Sequence, residues 1–158
     1  MADTADTAGP GDRPGGWGAA CVVRAGLASE PVSAAELAAA VEDRAAGAVV
    51  TFDGMVRDHD RGRGVNGIVY SAHPSAEEVV ARIAHEVAGR PGLRALAVVH
   101  RVGDLGIGET ALGVAVSADH RTAAFEAARD IVEEVKRRLP VWKHQIFDDG
   151  TREWSNTA

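Results

Sequence analysis

Apolar and polar positions change period several times along this chain, and each change marks an element. Ala20-Cys21-Val22-Val23-Arg24 predicts a short strand. Ser33-Ala34-Ala35-Glu36 has the form of a capping box, predicting a helix to about Arg44 with Leu37, Ala40 and Val41 facing inward. After Gly47, the β-branched run Ala48-Val49-Val50-Thr51-Phe52 predicts a strand continuing through Gly54 to Arg57. Asp58 to Gly64 is polar and punctuated by glycine, so it reads as a loop. Val65 to His73 predicts a further strand, paired with the preceding one across that loop.

Ser75-Ala76-Glu77-Glu78 repeats the capping-box pattern, and Val79, Ile83 and Val87 continue it as a helical stripe. Leu93–Val102 and Thr110–Ser117 predict two strands. Between them, Gly103-Asp104-Leu105-Gly106-Ile107-Gly108 has the order G-x-x-G-x-G and precedes a strand. It therefore fails both the dinucleotide and the P-loop fingerprints and reads as a connecting turn. The last helix is predicted from about Arg121 to Arg138, with Phe125, Ala128, Val132, Val135 and Leu139 toward the core. Pro140 stops it, because proline lacks the amide donor and disfavours helix at the residue before it. Val141–Phe147 predicts a strand, and Asp149-Gly150 a turn to Trp154. The order implies an α+β fold with a mixed, largely antiparallel sheet and about three helices.

Composition narrows the picture. At 158 residues the length suits one domain, expected over residues 19–158, behind a disordered Ala-, Gly-, Asp- and Pro-rich tail over 1–18. The net charge of −6 speaks against nucleic acid or an anionic membrane as a general partner, because both reward a basic surface. The tail has neither the basic start nor the apolar run of a signal peptide, and Cys21 stands alone, so a reducing cytoplasm is expected. No Cys/His spacing suggests a metal site.

Among 17 basic residues only Lys136 and Lys143 are lysines. Arginine stays protonated, whereas a lysine amine can lose its proton and act as nucleophile or base. Lys136 lies at the margin of the last helix's apolar stripe, where a snorkelling stem is the alternative reading. Lys143 follows Trp142 within an apolar strand, where burial and neighbouring cations would lower its pKa; an edge-strand gatekeeper is the alternative. His120-Arg121 opens the last helix, a place suited to phosphate or carboxylate, the alternative being a solvent-facing start capped by Asp119. Arg57 ends a strand beside the Gly-rich loop that carries Arg61 and Arg63. His59, His73, His85 and His100 show no metal spacing and read as structural or surface residues.

Together these segments resemble the molybdopterin synthase catalytic (large) subunit family. The resemblance rests on Gly47-Ala48-Val49-Val50-Thr51-Phe52-Asp53-Gly54-Met55-Val56-Arg57, His100-Arg101-Val102-Gly103-Asp104-Leu105, Ser117-Ala118-Asp119-His120-Arg121 and Ala124-Phe125-Glu126-Ala127. It closes with Val135-Lys136-Arg137-Arg138-Leu139-Pro140-Val141-Trp142-Lys143, then Asp149-Gly150 and Trp154, and spans roughly residues 20 to 154 in order.

The resemblance implies an α/β hammerhead-like domain that forms a homodimer. A small ubiquitin-like sulfur-carrier subunit at each end would complete a heterotetramer. It implies a sulfurtransferase of molybdenum cofactor biosynthesis, converting cyclic pyranopterin monophosphate to molybdopterin by two sulfur transfers. The sulfur would come from the carrier's C-terminal Gly-Gly thiocarboxylate, with no metal or other cofactor. Arg57, His120 and Arg121 would hold the substrate's anionic groups beside the Met55-Val56 backbone, and Lys136 and Lys143 would stand in the reaction zone with Gln145.

Two departures stand out. The run Tyr70-Ser71-Ala72-His73 lacks the family's usual Glu and second Tyr, and Gln145 stands where a Glu usually follows Trp-Lys and a basic residue. With few residues after Trp154, a C-terminal basic contribution across the dimer is not expected. The alternative function is a catalytically impaired member that binds anions and the carrier without turnover.

Overall fold

The computed structural model describes residues 18–156 and 158. The expected tail, residues 1–18, therefore lies outside the described residues apart from Gly18. Three helices and nine strands follow among the described residues. They run β1 (Cys21–Ala28), α1 (Ala34–Ala40), β2 (Ala48–Met55), β3 (His59–Asp60), β4 (Arg63–Ala72) and α2 (Ala76–Ala88). The second half continues with β5 (Leu93–Arg101), β6 (Gly103–Gly106), β7 (Thr110–Ala118), α3 (Arg121–Arg138), β8 (Val141–Phe147) and β9 (Arg152–Ser155).

The first sheet has the order β1-β5-β7-β2; β1 runs parallel to β5 and the other pairs are antiparallel. β7 is buried at every position, and β5 at all but Arg94. Period two then sorts the side chains onto two faces. Ala95, Ala97, Val99 and Ala115 meet Leu37 and Val41 from the α1 side. Leu96, Val98, Val114 and Val116 meet α2 and α3 on the other face. The second sheet runs β3-β4-β8-β9, with β6 also paired to β4.

Several expectations need correction. The strand Val65–His73 does not pair with the preceding one: β2 pairs with β7, and β4 with β8. Between them Asp58–Gly64 makes its own tight hairpin, β3 against the start of β4, around Arg61 at φ 49° and Gly62 at φ 75°. The turn over Gly103–Gly108 contains strand β6, and only its end turns, with Gly108 at φ 83°. Ser33 caps α1 as expected, accepting from the Glu36 amide at 3.4 Å, but the helix ends at Ala40, which is exposed. Ser75 does not cap α2, because its hydroxyl bonds His73 Nδ1 at 2.8 Å and its backbone is already helical. On α3, Phe125 is 61% exposed, and Ala124, Ala127 and Ile131 share the buried face with Val135. A helical stripe about 100° wide cannot say which of two adjacent apolar rows a neighbour will cover. Asp119 leaves the α3 N-terminus uncapped and instead pairs with Arg94 at 2.5 Å.

The stop at Pro140 stands: Leu139 is extended, at φ −71° and ψ 119°, and β8 begins at Val141. The entry to β2 depends on close backbone approach. A Cβ on Gly47 would lie 2.4 Å from the Asp119 carbonyl oxygen, with no side chain able to yield. Gly47→Ala is expected to lower the unfolding free energy by about 1–3 kcal/mol, as overpacking does, read as a reduced urea midpoint with unchanged slope.

Candidate functional site

One cavity of about 390 Å³ opens where the two sheets meet the end of α3. β2 runs into it at a register shift between Gly54 and Met55, which turns Met55, Val56 and Arg57 toward its wall. Val56 is buried, its amide bonded to the Glu109 carbonyl at 2.9 Å, so this corner is pinned. β8 contributes Lys143 and Gln145, two residues apart and hence on one face of the strand. Their partners across the ladder are Tyr70 and Ile68 of β4, which also line the cavity. The intervening His144 faces the other way and stacks on Trp154, with centroids 4.0 Å apart and planes within 2°. That stack holds β9 against β8 and keeps the Lys143 face free for the cavity.

The last turn of α3 brings Lys136 to the lip, where its Nζ donates to the Ala158 carbonyl oxygen at 3.2 Å. Lys143 is half-buried. Desolvation pushes its pKa below the ordinary lysine value, and Lys136, Arg57 and Arg61 add to the depression while Asp60 opposes it. Both physical causes expected for Lys143 are therefore present. Asp60 also accepts from Arg57 Nη2 at 3.2 Å, but Arg57 remains largely exposed and free to turn toward a ligand. A concave site lined by three cations, the single carboxylate Asp60, a buried glutamine and apolar walls suits an anionic, partly aromatic ligand.

Six of the sequence-predicted site residues thus share one cavity: Met55, Val56, Arg57, Lys136, Lys143 and Gln145. His120 and Arg121 do not join them within the chain. They are exposed at the opposite end of α3, and Lys136 follows Arg121 by fifteen positions, about 22 Å along the axis. Arg63 serves the packing of the second sheet, lying 3.6 Å over the Phe147 ring and pairing with Glu153 at 2.8 Å. The departure at Ser71 points away from the cavity, next to Trp142 in the register, whereas Gln145 lines it.

The family model described as "MoaE protein" matches residues 27–138, which include β2, the cavity corner and all of α3. The chain belongs to the MoaE protein family. It is 44% identical over 111 residues to a molybdopterin synthase catalytic subunit of Oryza sativa subsp. indica, a match covering 70% of this chain and 58% of that protein. The chain therefore spans little more than half the length of that relative. A Bacillus subtilis molybdopterin synthase catalytic subunit is 37% identical over 78% of this chain and 80% of its own length. Molybdopterin synthase from Staphylococcus aureus superimposes with a TM-score of 0.76 at 32% identity, covering 83% of this chain and 96% of that one. No helix among the described residues is long and apolar enough to cross a membrane.

The family match leaves part of the cavity that no motif reading had found. Tyr70 and His100 line it, with ring centroids 4.9 Å apart at an interplanar angle of 85°. His100 reads from sequence as structural or surface; it is 1% exposed, at the end of β5, on the face that Leu96 and Val98 share. A histidine two positions on from a buried strand's apolar pair was the available signal. Burial is the main reason its pKa falls to about 4, with Lys136 adding to the depression and the Arg101 carbonyl opposing it.

This depression has a consequence for stability. Between the unfolded value of 6.5 and the folded value of about 4, the unfolded chain binds the extra proton. The contribution is fully present above pH 6.5 and is lost as pH falls through about 4, reaching at most roughly 3 kcal/mol. Urea midpoints measured from pH 7 down to pH 4 are expected to fall more steeply for the parent protein than for His100→Phe.

Proposed function

We propose that this protein is a sulfurtransferase that converts cyclic pyranopterin monophosphate to molybdopterin. Sulfur would come from the C-terminal thiocarboxylate of a small ubiquitin-like carrier subunit. The observation that carries the reading is the convergence of Lys136, half-buried Lys143 and Arg57 on one cavity, which Asp60, Gln145, Tyr70 and His100 also line among apolar residues. A phosphate-bearing pterin and an anionic thiocarboxylate repel each other, and fixed cations in a partly dehydrated site offset that repulsion. Lys136 already donates to a main-chain oxygen of a small residue, Ala158, which supports the lip as a seat for a Gly-Gly terminus.

In this reading Lys136 stabilises the carrier terminus and the developing anion. Lys143, with its lowered pKa, exchanges protons with the reacting pterin side chain or acts as nucleophile. Each transfer forms a carbon–sulfur bond on the pterin side chain as a carbon–oxygen bond there breaks and its oxygen departs as hydroxyl or phosphate; water then cleaves the acyl–sulfur bond and leaves a carboxylate on the carrier. Gln145 lends hydrogen bonds but no charge beside Lys143. The homodimer completes the cation set, because the exposed His120-Arg121 pair of one protomer can serve the cavity of the other. The reaction would then run in a soluble heterotetramer of the cytoplasm.

The test is to incubate the protein with cyclic pyranopterin monophosphate and thiocarboxylated carrier and to assay dithiolene product. Lys143→Ala and Lys136→Ala should each lose about a hundredfold or more in turnover while remaining folded. Full activity in both variants would overturn the mechanism, and ligand binding without turnover in the parent would favour a binding module. Mixing Lys143→Ala with Arg121→Ala protomers should restore activity, since one site of each mixed dimer then has both groups. No recovery would place Arg121 in the service of its own chain.

A further inference from the structure

Among the described residues Asp60 is the one carboxylate that lines the cavity, where Arg57, Lys136 and Lys143 otherwise favour an anion. A negative charge there repels such a ligand, so it needs a chemical reason. The hairpin builds its position: β3 pairs His59 with Gly64 and Asp60 with Arg63, around a tip at Arg61 and Gly62. Alternation turns His59 outward, where its ring bonds the Asp58 carboxylate, and turns Asp60 to the cavity. Among the described residues its carboxylate bonds one side chain, that of Arg57, through Oδ1 at 3.2 Å. The Arg57 side chain is 69% exposed and that of Asp60 23%, so water competes for this pair and the carboxylate stays within a ligand's reach.

The other acceptors of the lining differ in kind. Gln145 is 8% exposed and carries one acceptor oxygen beside an amide donor, and Tyr70, 7% exposed, has a single hydroxyl. A carboxylate has two acceptor oxygens and no donor, the complement of two parallel N–H groups. The Arg57 guanidinium offers such a pair. So does the aminopyrimidinone edge of a pterin, where a ring N–H stands beside an exocyclic amino group.

We propose that Asp60 is a specificity-determining residue whose two carboxylate oxygens accept from the ring N–H and the amino group of a pterin. This rests on the pterin reading above and deepens it. The ring edge replaces Arg57 at the carboxylate, and the guanidinium turns to the phosphate. One exchange thus releases a cation to the anionic end of the ligand and covers the charge that would repel it. An oxo analogue, with a carbonyl in place of the amino group, points an acceptor at the carboxylate and is rejected.

Calorimetric binding of cyclic pyranopterin monophosphate, its oxo analogue and inorganic phosphate, measured on the parent, Asp60→Asn and Asp60→Glu, tests the assignment. Asparagine keeps the size but has one acceptor oxygen and no charge; it should raise the Kd of the pterin about tenfold. Glutamate should recover part of the loss. Inorganic phosphate should bind Asp60→Asn as tightly as the parent or more tightly, because a repelling charge is gone. The parent should bind the oxo analogue about tenfold more weakly than the pterin, and Asp60→Asn should narrow that gap. A carboxylate that served only as counter-ion to the cations would give the opposite sign, with the pterin tighter on Asp60→Asn. Unchanged or tighter pterin binding by folded Asp60→Asn overturns the proposal, as does an equal loss for phosphate. Should Asp60→Asn not fold, the parent decides: equal Kd for the pterin and its oxo analogue overturns the assignment. A parent that neither binds nor turns over the pterin overturns the functional reading itself, whereas a working parent with an indifferent Asp60 overturns only this inference.

Discussion

The β5–β7 ladder is the constraint on which the rest of the molecule depends. Both strands are buried on both faces, so their residues cannot shift by one position without exchanging the α1 core for the α2–α3 core. Small side chains on the α1 face, Ala95, Ala97 and Ala115, and larger ones opposite make that exchange sterically prohibitive. With the register locked, β7 fixes where β2 ends, and β5 fixes where His100 emerges. The floor of the cavity is thus a by-product of core packing.

The second sheet supplies chemistry to that floor. β8 is carried there by the proline stop after α3, which turns the chain from helix to strand without slack. The turn sets Lys136 on one side and Lys143 on the other side of a single opening. Desolvation is the main cause that lowers the Lys143 pKa, and Lys136, Arg57 and Arg61 add to it while Asp60 opposes it. The −6 net charge of the chain does not oppose this, because carboxylates such as Glu86, Asp130 and Glu134 are engaged in pairs with arginines elsewhere on the surface.

Much of this was legible along the chain. Lys136 and Lys143 stood out because an arginine-biased sequence holds only two lysines, and the helix stop between them needed only proline chemistry. The strand runs, the three helices and the Ser33 cap followed from period and side-chain type. The misreadings share one cause. Whether Phe125 or Ala124 faces inward, whether β2 pairs with β4 or β7, and whether the Ser75 hydroxyl caps a helix or bonds His73 depend on which neighbour arrives. Local pattern offers both options at nearly equal energy.

What the sequence by itself determined were the three helices and the longer strands, their order, the two lysines and the family, since these rest on residue types at fixed spacing. Only the tertiary structure decided which groups meet. It gathered Arg57, Lys136, Lys143 and Gln145 at one cavity and set His120 and Arg121 at the far end of α3. It also buried His100, a residue whose spacing left it as structural or surface. The physical reason is that burial, and with it the free energy of a proton or an unpaired lone pair, belongs to the packed surroundings of a residue and not to its position in the chain.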